Sequence, residues 1–303
     1  MPTKQSQHFI AIFIFFVVSS LVAACGGGQP APPLTDLAPT SAPTDLPPTP
    51  TPEPPLAARV NGEGILLEDF NTELKVLQLA LQKTGEALTA EDIYKKALDD
   101  LIANTLLAQE AEKSGQVFDE AAIQAKADEL AAAMGGAEQL AAWKQANGYS
   151  DQAFLRALAR GVKAAWQRDQ IMAAVPAGFE QVHARQILVQ DEAYANQILE
   201  RLKSGQDFTT LASQIDPVKK GELGWFPRGF LFQPEVEEAA FSTEVGAFSN
   251  VIRSAIGYHI LLVMEKDPNR ELGPEGRSTL QKAAVVSWVD AKRSQSAVEI
   301  LIP

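Results

Sequence analysis

Ala184-Arg185-Gln186-Ile187-Leu188-Val189 reads as a β-strand, and the residues after it change period at once. Asp191 stands where a helix N-cap is wanted, before a segment running through Leu202, with Gly205 past its end. Asp207 caps a second, shorter helix from Phe208 to Ser213. A loop then leads to Gly221-Glu222-Leu223-Gly224-Trp225-Phe226, and Pro234 opens a helix through Phe241. Tyr258-His259-Ile260-Leu261-Leu262-Val263 follows as an apolar strand. Strand, helices, strand and strand within residues 178–269 predict a small α+β domain.

On the N-terminal side of this segment the pattern is helical. Residues 89–173 are rich in Ala, Leu, Glu, Lys and Gln. Thr89-Ala90-Glu91-Asp92 opens a long helix whose stripe is Ile93, Ala97, Leu98, Leu101, Ile102, Thr105 and Leu106, ending near Gly115. Asp119 starts a second helix that Gly135-Gly136 breaks, Gly148 closes a third, and Ser150-Asp151 begins a fourth running toward Met172. Upstream, Asn61-Gly62 marks a tight hairpin, and Leu67-Glu68-Asp69-Phe70 enters another helix. At the far end, Ser278–Arg293 reads as a helix and Val298-Glu299-Ile300-Leu301-Ile302 as a strand. That strand has no obvious partner in the small domain, whereas Arg59-Val60-Asn61 and Gly64-Ile65 are candidates. The fold class is therefore α+β: a mostly helical lobe, 56–177, closed by a C-terminal helix and strand in 270–303, with the small domain 178–269 inserted.

The first residues carry Lys4, an apolar run from Phe9 to Leu21, and Val22-Ala23-Ala24 before Cys25, the only cysteine in the chain. A basic start, a short apolar core and a small-residue cleavage region describe a secretory signal peptide over 1–24. The run falls short of the about 20 apolar residues that a membrane span requires. Val22-Ala23-Ala24-Cys25 resembles the lipobox of bacterial lipoproteins, which implies that the Cys25 thiol is diacylated and becomes the first residue. From Gln29 to Pro55 the chain is mostly Pro, Thr, Ala and Ser, and with Cys25 it makes 25–55 a stalk, because such a segment buries too little apolar surface to offset the entropy of ordering it. In polyproline II, at about 3.1 Å per residue, it reaches roughly 80 Å. An extracytoplasmic protein, lipid-anchored to the outer face of the cell membrane, is expected.

A net charge of −12 disfavours a nucleic-acid partner. The histidines are His8, His183 and His259, too scattered to suggest a metal cluster, and no phosphate-cradling glycine loop appears. No metal and no cofactor are expected. The sequence assigns no oligomeric state.

Residues 182–266 resemble a parvulin domain, the small peptidyl-prolyl isomerase module. The resemblance rests on Ala184–Val189, on Asp207-Phe208 with Leu211-Ala212, on Gly221-Glu222-Leu223-Gly224-Trp225-Phe226, on Pro234–Phe241 and on Gly257-Tyr258-His259-Ile260. The surrounding lobe, with Arg59-Val60-Asn61-Gly62-Glu63 and the returning C-terminal helix, is similar to the chaperone domain of extracytoplasmic foldases of the PrsA and SurA group. The resemblance implies a foldase that takes unfolded or partly folded exported polypeptides and isomerises their Xaa–Pro bonds. The alternative it leaves open is a non-catalytic holdase with a degenerate parvulin domain.

By family position, Asp216 and His259 stand among the catalytic polar groups, with Gln186 where parvulins carry the first of two histidines. Leu223, Phe226, Leu231 or Phe232, and Val236 would line the proline pocket, with Ser254 and Ile256 beside His259. Gln186 can still hydrogen-bond His259 through its amide. His183 does not replace the missing histidine, since residues three apart on a strand face opposite ways. Each residue also has a plainer reading: His259 as a core histidine, Asp216 as a turn residue before Pro217, and Phe226 and Leu223 as core packing. The acidic face Glu235, Glu237, Glu238 reads as solvation of the helix.

Overall fold

A computed structural model describes residues 54–302. The segment 1–24 expected to be a signal peptide, Cys25 and nearly all of the expected stalk 25–55 lie outside the described residues. The N-terminal elements are β1 (Leu56–Val60), β2 (Glu63–Leu66), α1 (Leu67–Thr84), α2 (Ala90–Glu112), α3 (Glu120–Ala133), α4 (Ala137–Asn147) and α5 (Asp151–Ala173). There follow β3 (Gly178–Val189), α6 (Glu192–Lys203), α7 (Phe208–Ile215), β4 (Glu222–Pro227), α8 (Pro234–Ser242), β5 (Ile252–Ser254) and β6 (Gly257–Glu271). The chain ends with α9 (Pro274–Ser294) and β7 (Val298–Ile300). Among the described residues no helix is long and apolar enough to cross a membrane.

The described residues divide into two compact units, one of 54–102, 118–159 and 298–302, the other of 103–117 and 160–297. This division does not coincide with the boundary expected at 177/178. The reason is that α2 and α5 each contribute to both units, so the second half of α5 and the whole of α9 group with the inserted domain.

In the first unit, β2, β1 and β7 form a three-stranded antiparallel sheet. Ala58 lies opposite Ile65 on one side and Ile300 on the other, so the C-terminal strand pairs with the 58–60 segment and not with Gly64-Ile65. Phe70 of α1 is buried and meets the Tyr94 ring edge-on at 4.8 Å. The aromatic cluster Trp143, Tyr149 and Phe154 packs with Leu140 and Ala127. Arg156 binds the buried Asp69 at 2.7 Å and the more exposed Glu68 at 2.6 Å.

The second unit is built on the antiparallel sheet β4-β3-β6-β5. Side chains alternate across it. Ile187, Val189 and Ile260 face α6 and α7, where they meet Ile198, Leu202, Phe208 and Leu211. Val182, Ala184, Leu261 and Val263 face the other way, onto Phe226 and α8. Aspartates start the two helices as expected: Asp191 accepts from the Tyr194 N–H and Asp207 from the Thr210 N–H, both at 2.7 Å. The C-terminal helix is held by Lys292 on Glu110 at 2.7 Å and by Gln281 donating to the Met172 carbonyl at 3.1 Å.

Several boundaries depart from the sequence reading. Both long strands extend past their apolar cores, β3 starting at Gly178 and β6 continuing to Glu271, because they pair with each other along their length. The three-residue β5 was hidden, being too short to alternate visibly. Helix α9 begins at Pro274 rather than Ser278, since proline suits a first helical turn that needs no N–H partner.

Candidate functional site

The side chains of Gln186 on β3 and His259 on β6 share the face that carries α8. Gln186 pairs with Leu261, and His259 lies two residues along from it. The Gln186 Oε1 is 3.0 Å from His259 Nδ1, and the Ser254 hydroxyl is 2.7 Å from His259 Nε2. With the amide oxygen accepting, Nδ1 carries the proton and Nε2 accepts from Ser254. Ser254 Oγ in turn accepts the Ile256 N–H at 3.1 Å. The His259 ring is 1% exposed, and burial holds its pKa below the ordinary histidine value, against the opposing pull of Glu235. Burial favours the neutral imidazole, and both ring nitrogens have a partner beneath the surface.

Asp216 ends α7 and turns its carboxylate into its own loop. Oδ1 accepts the N–H groups of Val218 at 3.2 Å and Lys219 at 3.0 Å, and Oδ2 that of Gly221 at 3.2 Å. The bond from Lys219 is the chief cause of a pKa held below the usual aspartate range. Gly221 then accepts the Gln186 N–H at 2.7 Å. Asp216 is thus joined to Gln186 through one glycine, and both line a shallow groove with Leu188, Ile215 and Gly221.

The apolar residues separate into two groups. Phe226 and Val236, 0% and 2% exposed, lie inside the core with Ala184, Ala240 and Leu261. Leu223 and Leu231 are half-buried against that core. Leu223 is the extra residue of a bulge, since Ala184 pairs with Gly224 and Arg185 with Glu222. Phe232 is 76% exposed and stands apart from the cluster, so of the two alternatives Leu231 is the one brought to it. Ile256 is exposed at the β5–β6 turn.

Two carboxylates escaped the sequence reading. Glu237 is half-buried and accepts three N–H groups, from Gly229 at 2.7 Å and from Phe230 and Leu231 at 3.0 Å each. Reading it as a solvated face residue was wrong, because the loop before the helix folds back over it. Its neighbour Glu238 pairs with Arg228 at 3.1 Å, while Glu235 is exposed. Glu222 accepts from His183 at 2.6 Å, from Arg185 at 2.9 Å and from the Gly224 N–H at 3.0 Å. Burial pushes its pKa up, but the bonds from Arg185 and His183 outweigh this and leave it lowered. His183 also stacks on Trp225 at 5.4 Å, so it is engaged away from Gln186. No local signal marked either carboxylate, since their partners are backbone amides or lie on neighbouring strands. Among the described residues no group of three or more His, Cys, Asp or Glu is arranged to hold a metal ion.

Comparison with known proteins gives two domain matches. Residues 170–265 match the family described as PPIC-type PPIase domain, and residues 50–158 that described as SurA-like N-terminal domain. The foldase protein PrsA of Halalkalibacterium halodurans is 39% identical over 127 residues, 40% of this chain and 35% of that protein. That of Caldanaerobacter subterraneus subsp. tengcongensis is 47% identical over 88 residues, 27% of this chain and 28% of that protein. The chaperone SurA of Alcanivorax borkumensis is 27% identical over 257 residues, 71% of this chain and 58% of that protein. The chain spans less than half the length of these PrsA relatives. Among solved structures, peptidylprolyl isomerase (PrsA) from Bacillus cereus is 26% identical, covering 77% of this chain and 84% of that one, with a TM-score of 0.44.

Proposed function

Since this chain joins a SurA-like N-terminal domain to a PPIC-type PPIase domain of the parvulin kind, we propose that it is an extracytoplasmic foldase, anchored by Cys25. Its helical lobe holds unfolded exported polypeptides, and its inserted domain isomerises their Xaa–Pro bonds.

The observation that carries this reading is the continuous chain Gln186–His259–Ser254. Rotation about an Xaa–Pro bond faces about 18–20 kcal/mol because amide resonance is lost at the twisted geometry. No covalent step is required. A site lowers the barrier by favouring the twisted, less conjugated amide over the planar one. Leu223 and Leu231 offer apolar contact for a proline ring, with Phe226 and Val236 as the rigid floor beneath. Gln186, its side chain held by His259 and its N–H by the Gly221 carbonyl, lines the groove with Gln190 and Asp216 and is the polar group we assign to the amide. His259 serves as framework: buried and neutral, it orients Gln186 and Ser254 without exchanging a proton. Asp216 acts through the loop geometry that it imposes on Gly221.

Gln186 in place of a histidine favours a second reading, a holdase whose parvulin domain binds peptides without catalysis. A protease-coupled isomerase assay on a proline tetrapeptide separates the two. The foldase reading expects a low but measurable rate that Gln186→His leaves equal or higher. A folded protein that suppresses aggregation of an unfolded client and shows no isomerase rate refutes catalysis and leaves the holdase. The anchor is tested by fatty-acid labelling in a bacterial host, where Cys25→Ala is expected to abolish the label; unchanged labelling refutes it.

A further inference from the structure

Consecutive amides in extended chain point alternately to opposite sides, so three that converge on one carboxylate mark a loop wrapped around an anion. That is the arrangement at Glu237. Its Oε1 takes the Gly229 N–H at 2.7 Å, and its Oε2 takes those of Phe230 and Leu231 at 3.0 Å each. The carboxylate itself is rigidly placed. Glu237 lies in the first half of α8, and α8 is pinned to the sheet by Val236, Ala240 and Phe241, all buried. On the other side, the loop is flanked by Arg228, whose guanidinium covers the Phe241 ring at 4.1 Å and pairs with Glu238 at 3.1 Å.

We infer that Glu237 is a positioning residue for client binding: by gathering the amides of 229–231 it sets Leu231 against the core at the height where a proline ring docks. The inference rests on the isomerase reading of this domain. Residues 228–233 belong to no strand or helix, so no ladder holds them in place. The three bonds to Glu237 decide where the loop turns, leaving Leu231 half-buried beside Phe226 and Val236 while Phe232 goes to solvent. Glu237 touches neither the Gln186–His259–Ser254 chain nor the groove at Asp216. Its loss therefore affects how tightly the ring is held more than how readily the amide twists.

The test uses Glu237→Gln, which keeps the shape but replaces one acceptor oxygen by an NH2 group that faces a backbone N–H. The amide proton shifts of Gly229, Phe230 and Leu231 are expected to move together, with those of the β3–β6 pairing unchanged. Affinity for a proline tetrapeptide is expected to fall about tenfold, the equivalent of about 1.4 kcal/mol, with kcat within about twofold. Glu237→Asp, which keeps both acceptors on a shorter stem, is expected to recover part of the affinity. A folded Glu237→Gln protein with unchanged peptide affinity overturns the inference, as do amide shifts that stay in place. A wild-type protein that binds peptide without isomerising it refutes catalysis alone, because affinity still reads the clamp. A wild-type protein that binds no proline peptide overturns the isomerase reading and, with it, the binding role of Glu237.

Discussion

Replacing Gly221 by alanine, with Gly224→Ala as its control, measures how strongly the loop after Asp216 is tied to the sheet. Both glycines have a φ of +72°, so each substitution carries the cost of a left-handed backbone, about 1–2 kcal/mol. Their surroundings differ. A Cβ at Gly224 meets nothing within 4 Å, whereas one at Gly221 falls 2.0 Å from the Gln186 carbonyl oxygen. That oxygen is backbone within the sheet, so the loop must withdraw. Withdrawal breaks the Gln186 N–H bond to Gly221, worth about 0.5–1.5 kcal/mol net, and strains the Gly221 N–H bond to Asp216. The total for Gly221→Ala is about 2–4 kcal/mol, against about 1–2 for Gly224→Ala. Hydrogen exchange at the Gln186 amide reads the difference directly. A gap of about 2 kcal/mol accelerates exchange roughly thirtyfold in the Gly221 variant relative to the Gly224 variant. Urea unfolding of the two proteins gives the same ordering. Equal exchange at Gln186 in both variants would show that the loop and strand are not coupled as described, and that Asp216 does not act through Gly221.

Three further outcomes are expected. His259 has a folded pKa lowered by burial, so its contribution to stability is complete above its unfolded value, about 6.5, and is lost as pH falls through the folded one. Wild type is expected to lose up to about 1.4 kcal/mol per pH unit more than His259→Gln over this window, measured by urea midpoints; parallel pH profiles would place the imidazole in water. Phe226→Ala removes a fully buried ring and is expected to cost about 3–5 kcal/mol, whereas Phe232→Ala, at a site 76% exposed, is expected to leave stability within about 0.5 kcal/mol. Similar melting shifts in the two variants would contradict that division. Arg156→Ala leaves Asp69, with 3% side-chain exposure, short of its guanidinium and is expected to cost about 2–4 kcal/mol, much of it recovered by adding Asp69→Asn. Failure of the second change to restore the denaturation midpoint would indicate that Arg156 matters for packing.

What could be read from the sequence was whatever local chemistry decides. Asp119, Asp191 and Asp207 each announced a helix, and in each the carboxylate accepts an N–H of the first turn. The parvulin resemblance put Gln186 beside His259, strand alternation set His183 aside, the amide can accept, and the 3.0 Å contact joins the two. Asp216 stood open between a turn residue and a site residue. Its three bonds to following amides give it the turn role, and its tie through Gly221 brings it to the groove. Long-range geometry was not legible. Glu237 and Glu222 look like any surface glutamates in the sequence, since nothing local reveals a loop folding back or a neighbouring strand. Nor does composition distinguish Leu231 from Phe232, which are equally apolar; only the turn imposed on 229–231 sends one inward and the other out.

The pairing of β1 with β7 has a consequence for the order in which the protein comes into being. Val60 lies opposite Val298, and the Leu301 N–H reaches the Ala57 carbonyl at 2.9 Å, so β1 finds its second neighbour far along the chain, beyond the inserted domain. Bringing together ends about 240 residues apart costs about 5 kcal/mol of chain entropy in addition to the fixed cost of closure. A chain emerging amino end first presents β1 and β2 with α1 beside them but without a third strand until the whole inserted domain has passed. A chain cut short before residue 298 leaves β1 with an open row of amides and carbonyls, the kind of edge on which chains aggregate. Arrival of β7 is therefore what closes this side of β1, and a copy cut short before it shows an edge that the pairing otherwise covers.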